Sequence, residues 1–213
     1  MLFRSLNNGE PAGTPETLYE LPATTDTNVC WTSDREIALA QVWNQTILVV
    51  PASGGQPRVV VREEALTTWA FLGDIQPLVP GQSILASRWK RVGEENKFWV
   101  EIVELATGKR TTLLDNTFHA MYLPSGHIIA RRRNNLIAAR FDFASQQIIG
   151  EPVTVWNGKL GGWFCVSPTG VLAMLVQPAD IAGRTLAWMD EQGRPVPLGA
   201  PPRAYRGAQV SPD

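Results

Sequence analysis

Few residues in this chain have the types and spacing that chemistry requires. His119 and His127 are the only histidines, and with Asp115 upstream they are the one set that invites a metal ion. Their spacing matches no zinc-ligand pattern, so no metal site is expected. Arg131, Arg132 and Arg133 form a basic run that would suit an acidic ligand. Lys90, Arg91 and Lys97 cluster in what is expected to be a loop between two strands. These three residues and Arg132 are the candidate binding residues.

The catalytic motifs fail one by one. The segment Ala106 to Thr111 contains the Gly-Lys of a phosphate loop, but Val103 stands where the leading Gly belongs and the segment sits between strands. A plain hairpin turn is expected there. Gly81 to Leu85 breaks the GxSxG hydrolase elbow at its last position, and the Gly-rich loop, catalytic loop and DFG of a kinase are missing. The expectation is a non-enzymatic chain without catalytic residues or cofactor. Cys30 and Cys165 are too few for a disulfide framework and are read as core thiols. The sequon Asn44-Gln45-Thr46 falls in a hairpin loop and is assigned no role.

Composition narrows the partners. With 19 Lys and Arg against 20 Asp and Glu, the net charge of -1 creates no field for nucleic acid. The longest aliphatic run, Ile47 to Val50, is far below the ~20 residues of a membrane span, so no membrane insertion is expected. The opening MLFRSLNNGEP lacks the apolar stretch of a secretory signal. The 16 Pro and 18 Gly are scattered along the chain, as suits many short strands joined by turns.

The elements that would position these residues come from a repeat. A turn preceded by an apolar residue recurs at Trp31 to Glu36, Leu78 to Ser83, Tyr122 to His127, Val166 to Val171 and Val210 to Asp213. Measured at Ser33, Pro80, Pro124, Pro168 and Pro212, the intervals are 47, 44, 44 and 44 residues. After each turn comes a run apolar on both faces, such as Ile37 to Ala40 or Leu172 to Leu175, which an open sheet with one wet face would not carry. A third strand, a tight polar turn and a more polar fourth strand complete each copy. The expected fold is therefore all-β: a β-propeller of four-stranded blades, approximately 27–63, 64–115, 116–157 and 158–200. Partial blades at 1–22 and 203–213 point to a fragment of a larger propeller.

The segments Ile47 to Val61, Met121 to Val155 and Arg184 to Asp213 resemble the TolB-like, WD-type propellers of bacteria. The resemblance is strongest to the C-terminal propeller of bacterial eukaryote-like serine/threonine kinases. It implies a protein-interaction or ligand-sensing domain, on the periplasmic side of the membrane, with a protein or small ligand on one face. The same resemblance extends to the substrate-gating propellers of prolyl-oligopeptidase-type hydrolases and to periplasmic Tol-Pal scaffolds. Ser33-Asp34-Arg35 and Val79-Pro80-Gly81 depart from the family's SPDG turn.

Overall fold

The computed structural model describes residues 2–7, 10–21, 27–42, 45–62, 70–158, 160–167, 169–176, 185–190, 192 and 194–203. Asn44, Pro168, the loop 179–184 and the terminal segment 204–213 lie outside the described residues. Two compact units are formed, Met1–Asp115 and Asn116–Asp213. The first opens with a two-stranded sheet, β1 (Leu2–Asn7) and β2 (Glu10–Thr17). Its next sheet comprises β3 (Thr27–Trp31), β4 (Glu36–Gln41), β5 (Thr46–Pro51) and β6 (Arg58–Arg62). The sheet after it comprises β7 (Ala70–Val79), β8 (Ser83–Val92), β9 (Glu95–Glu104) and β10 (Arg110–Asp115).

The second unit has one sheet of β11 (Phe118–Leu123), β12 (His127–Arg132), β13 (Asn135–Asp142) and β14 (Gln147–Asn157). Its other sheet is β15 (Leu160–Val166), β16 (Leu172–Val176), β17 (Thr185–Met189) and β18 (Pro195–Pro197). All four larger sheets are antiparallel meanders with strands in chain order. The fold is thus all-β, built of four-stranded propeller blades.

The recurrent turn joins the first strand of each blade to the second. Gly81 and Gly126 take φ of 67° and 79°, where a side chain would be strained. The first blade has no glycine here and closes the turn with side chains instead. Ser33 Oγ accepts the Arg35 N–H at 3.2 Å, and Thr32 Oγ1 donates to the Glu36 carbonyl at 3.1 Å. Polar side chains thus replace a glycine's freedom.

Burial on both faces of the inner strands sets the packing. On one face of β4, Ile37 and Leu39 meet Leu48, Val50, Leu18 and Tyr19. On the other, Ala38 and Ala40 meet Ile75, Ile84 and Ala86 of the neighbouring sheet. In the second unit Leu136 and Trp156 pack on Phe164 and Met174 in the same way. The outer strands are the exposed edges. The longest, β14, is interrupted between Ile149 and Val153 by Gly150-Glu151-Pro152, which spoils it as a template for another chain.

Two expectations are corrected. Of the partial blade expected over 1–22, the strands end at Thr17; Leu18, Tyr19 and Leu21 leave the sheet to cover the core face of β4 and β5. The stretch Lys90 to Lys97 is paired hairpin rather than loop, with Lys90 directly opposite Lys97.

The turn at Thr107-Gly108 is a hairpin. The Gly108 N–H is taken by the Glu104 carbonyl at 2.8 Å, and Thr107 Oγ1 donates to Glu104 Oε2 at 2.9 Å. No helix follows, and β10 begins at Arg110. Gly108 has φ of 71°, and a Cβ there would run into the Val60 carbonyl oxygen of the neighbouring sheet. Gly108→Ala is therefore expected to destabilise the chain by more than about 1 kcal/mol, read from the urea midpoint. An unchanged midpoint would contradict this packing.

Candidate functional site

Each blade has two unlike ends. At one end lie the recurrent turns and the hairpins between third and fourth strands, and there the sheets of the first unit are tied together. Gly81 N–H donates to the Thr32 carbonyl at 2.6 Å, and Arg58 Nη1 donates to the Leu105 carbonyl at 2.6 Å. At the opposite end lie the hairpins between second and third strands. They differ from copy to copy, and every candidate binding residue belongs to them.

Among the described residues the β8–β9 hairpin is the most extended. In the first blade the equivalent strands close at Gln41 opposite Thr46, and in the third at Arg132 opposite Asn135. The second blade continues past the matching pair, Arg88 and Trp99, through Trp89 with Phe98, Lys90 with Lys97, Arg91 with Asn96, and Val92 with Glu95. Four further pairs make an arm about 13 Å long. Gly93, at φ of 64°, allows the two-residue turn at its tip. One face carries the Trp89 and Phe98 rings, whose centroids are 6.3 Å apart. The other carries Lys90, half-buried, and Lys97, exposed.

Beneath the lysines sits a charged cluster that the sequence reading missed. Arg88 Nη1 lies 3.5 Å from Glu101 Oε1, with side chains only 10% and 5% exposed. Trp99 Nε1 donates to Glu101 Oε2 at 3.2 Å, and the Arg88 guanidinium lies 5.4 Å from the centre of the Trp99 ring. A signal was available in the run FWVEIVEL. Glu101 occupies the register position held by Leu48, Ile137 and Ala187 in the other blades.

The remaining candidates are dispersed by the fold. Arg131 and Arg132 alternate along β12 and so face opposite sides. Arg131 Nε donates to the Arg133 carbonyl at 2.9 Å, and burial lowers its guanidinium from the ordinary value. His119 sits at a bulge with φ of 52°. It donates from Nε2 to the Phe164 carbonyl at 2.7 Å, between the rings of Trp163 and Phe164. His127 pairs with Leu123 at the other end of the same hairpin, so about 13 Å of strand separates it from His119. Among the described residues no three His, Cys, Asp or Glu side chains group as metal ligands would. No helix among them is long and apolar enough to cross a membrane.

No family model matches the chain, and no curated protein matches it in sequence. Solved structures do match in fold. A calcium-binding regucalcin from Agrobacterium tumefaciens aligns at a TM-score of 0.62 and 14% identity, over 89% of this chain and 62% of its own. A puromycin-hydrolyzing peptidase from Mycobacterium tuberculosis aligns at 0.57 and 13%, over 92% of this chain and 42% of its own. An oligogalacturonate lyase in complex with manganese aligns at 0.53 and 13%, over 78% of this chain and 50% of its own. The chain thus spans less than two thirds of each of these proteins.

These neighbours correct the expectation of a non-enzymatic chain. The fold they share with it is the fold of a lyase and of a peptidase.

Two predictions come from the buried groups. Glu101→Ala removes a buried carboxylate from beside Arg88 and is expected to cost up to about 3–5 kcal/mol, whereas the Arg88→Met, Glu101→Leu double variant recovers most of that loss. Urea unfolding of the single and double variants measures the difference. Cys30 packs against the core of the first unit, and burial pushes its thiol from 9.0 up to about 12. With the folded thiol's pKa raised, the contribution is intact below the unfolded value and is lost as pH climbs from 9 towards 12. Wild-type stability should therefore fall more steeply than that of Cys30→Ala across this range, and parallel curves would refute the assignment.

Proposed function

We propose that the chain is the recognition propeller of a larger enzyme, and that its β8–β9 arm engages an acidic partner or substrate. One observation carries the reading: Lys90 and Lys97 stand directly opposite each other on a hairpin that projects past the blade. Like charges in directly opposed positions are unfavourable, and an acidic group lying between them reverses the sign of the interaction. Arg91 is exposed one residue further along and so faces the other side of the arm, adding a cation to its overall field, while Glu94 and Glu95 at the tip restrict which acidic groups approach. The Trp89 and Phe98 rings stiffen the arm at low entropic cost.

Two kinds of parent enzyme fit this role. A hydrolase in which the propeller gates access to a separate catalytic domain is supported by the peptidase, which uses 42% of its length to match 92% of this chain. A receptor-like serine/threonine kinase with a periplasmic propeller is supported by the resemblance of the repeat segments. Hydrolase and phosphotransfer assays on the full-length protein separate the two.

The arm is tested by fluorescence anisotropy with a labelled poly-glutamate peptide. Changing Lys90, Arg91 and Lys97 together to Ala is expected to weaken binding at least tenfold and to leave Tm within about 2 °C, since none of the three belongs to the buried core. Equal binding by the triple variant and the wild type would refute the role of the arm.

A further inference from the structure

The second and third blades place an arginine at the same point of the repeat, and only one of the two is neutralised within its own sheet. Arg88 lies opposite Trp99, which lies opposite Asp115, while Glu101 lies opposite Ala86, two residues before Arg88. The third blade reproduces the frame residue for residue. Arg132 lies opposite Asn135, which lies opposite Asn157, while Ile137 lies opposite Ala130, two residues before Arg132. The guanidinium is kept, and both carboxylate positions are changed: Glu101 becomes Ile137 and Asp115 becomes Asn157.

The consequence appears at the atoms. Arg88 meets Glu101 at 3.5 Å. Arg132 is half-buried, and its Nε is shielded from solvent with no hydrogen-bond partner among the described residues. A buried donor of a charged group is costly to leave unsatisfied, so a position that holds one is matched to an acceptor supplied from elsewhere. Arg131 does not compete, because it faces the other side of β12 and donates to the Arg133 carbonyl.

We propose that the row Arg132, Asn135 and Asn157 binds an oxyanion, a carboxylate or phosphate group of a ligand. Directly opposed residues project from the same face of a sheet, so the row sets a guanidinium beside two carboxamides. The planar fork of arginine matches the two oxygens of either anion, and a carboxamide N–H adds a donor without adding charge. In the second blade Glu101 fills the same role from within the chain. This site rests on observations separate from the β8–β9 arm and stands or falls independently of it.

The test follows the Arg132 side-chain Nε–H resonance of the 15N-labelled full chain, assigned by its loss in Arg132→Gln. Inorganic phosphate and citrate are titrated separately, with chloride at matched ionic strength as the control. A saturable shift with phosphate alone identifies a phosphate-bearing ligand, and with citrate alone a carboxylate. Asn157→Asp, at an exposed position, restores the carboxylate that the second blade has at Asp115, and is expected to weaken the anion at least tenfold without unfolding the chain. By calorimetry Arg132→Gln is expected to lose binding. A resonance that stays still, or moves equally with chloride, overturns the proposal, as does wild-type affinity in Asn157→Asp.

Discussion

Everything in this chain depends on one constraint: the second and third strands of each blade are apolar on both faces and must be covered on both. A lone sheet can cover only one. Ile37 and Ala38 are both fully buried although they point in opposite directions from β4, because another layer lies against each face. Each added methylene buried in this way contributes roughly 0.8 kcal/mol, so a run of four such residues far outweighs any single polar contact in the molecule. The stacking of sheet on sheet follows from this, and so does the repetition of one strand pattern.

The same constraint decides where charge is tolerated. Below the row that contains Arg88 and Arg132, the inward positions are mostly apolar, and Glu101 is the only buried carboxylate among the described residues. A buried ion pair contributes little against an apolar pair of equal volume, because desolvation offsets most of the attraction. The Arg88–Glu101 pair is therefore not a source of stability. Its geometric effect is to hold Trp99 and the root of the arm in one arrangement, through a carboxylate shared between an indole N–H and a guanidinium.

The blades were legible in the sequence because packing writes its demands at fixed intervals. The apolar residue before each turn and the double-faced run after it recur in phase. The length of the arm was not legible. Lys90 to Lys97 reads as a polar insertion, and nothing in its composition separates a loop from a strand pair exposed on both sides, since periodicity marks only half-buried strands. Leu18, Tyr19 and Leu21 misled for the opposite reason: they have the composition of a strand but serve as a cover for the core. Glu101 could have been read from the sequence. A carboxylate inside an apolar run shared by four copies departs from its own repeat, and such a departure is as informative as the repeat itself.

The two ends of a blade are thus free to follow different rules. In the first unit the end with the recurrent turns ties neighbouring sheets through backbone groups, where the positive φ of Gly81 and the close approach of Gly108 to Val60 restrict variation. Above the last buried row at the other end, a hairpin can lengthen by four residue pairs, or exchange Asp for Asn, without reopening the core beneath it. Substitutions there leave the fold's main free-energy terms unchanged, so they can be set by what the protein must recognise. Arg88 and Arg132 occupy one position of the repeat, and their partners differ because the buried position beside them is Glu101 in one blade and Ile137 in the other. On the oxyanion proposal, that exchange separates a guanidinium that orders its own blade from one that meets a ligand.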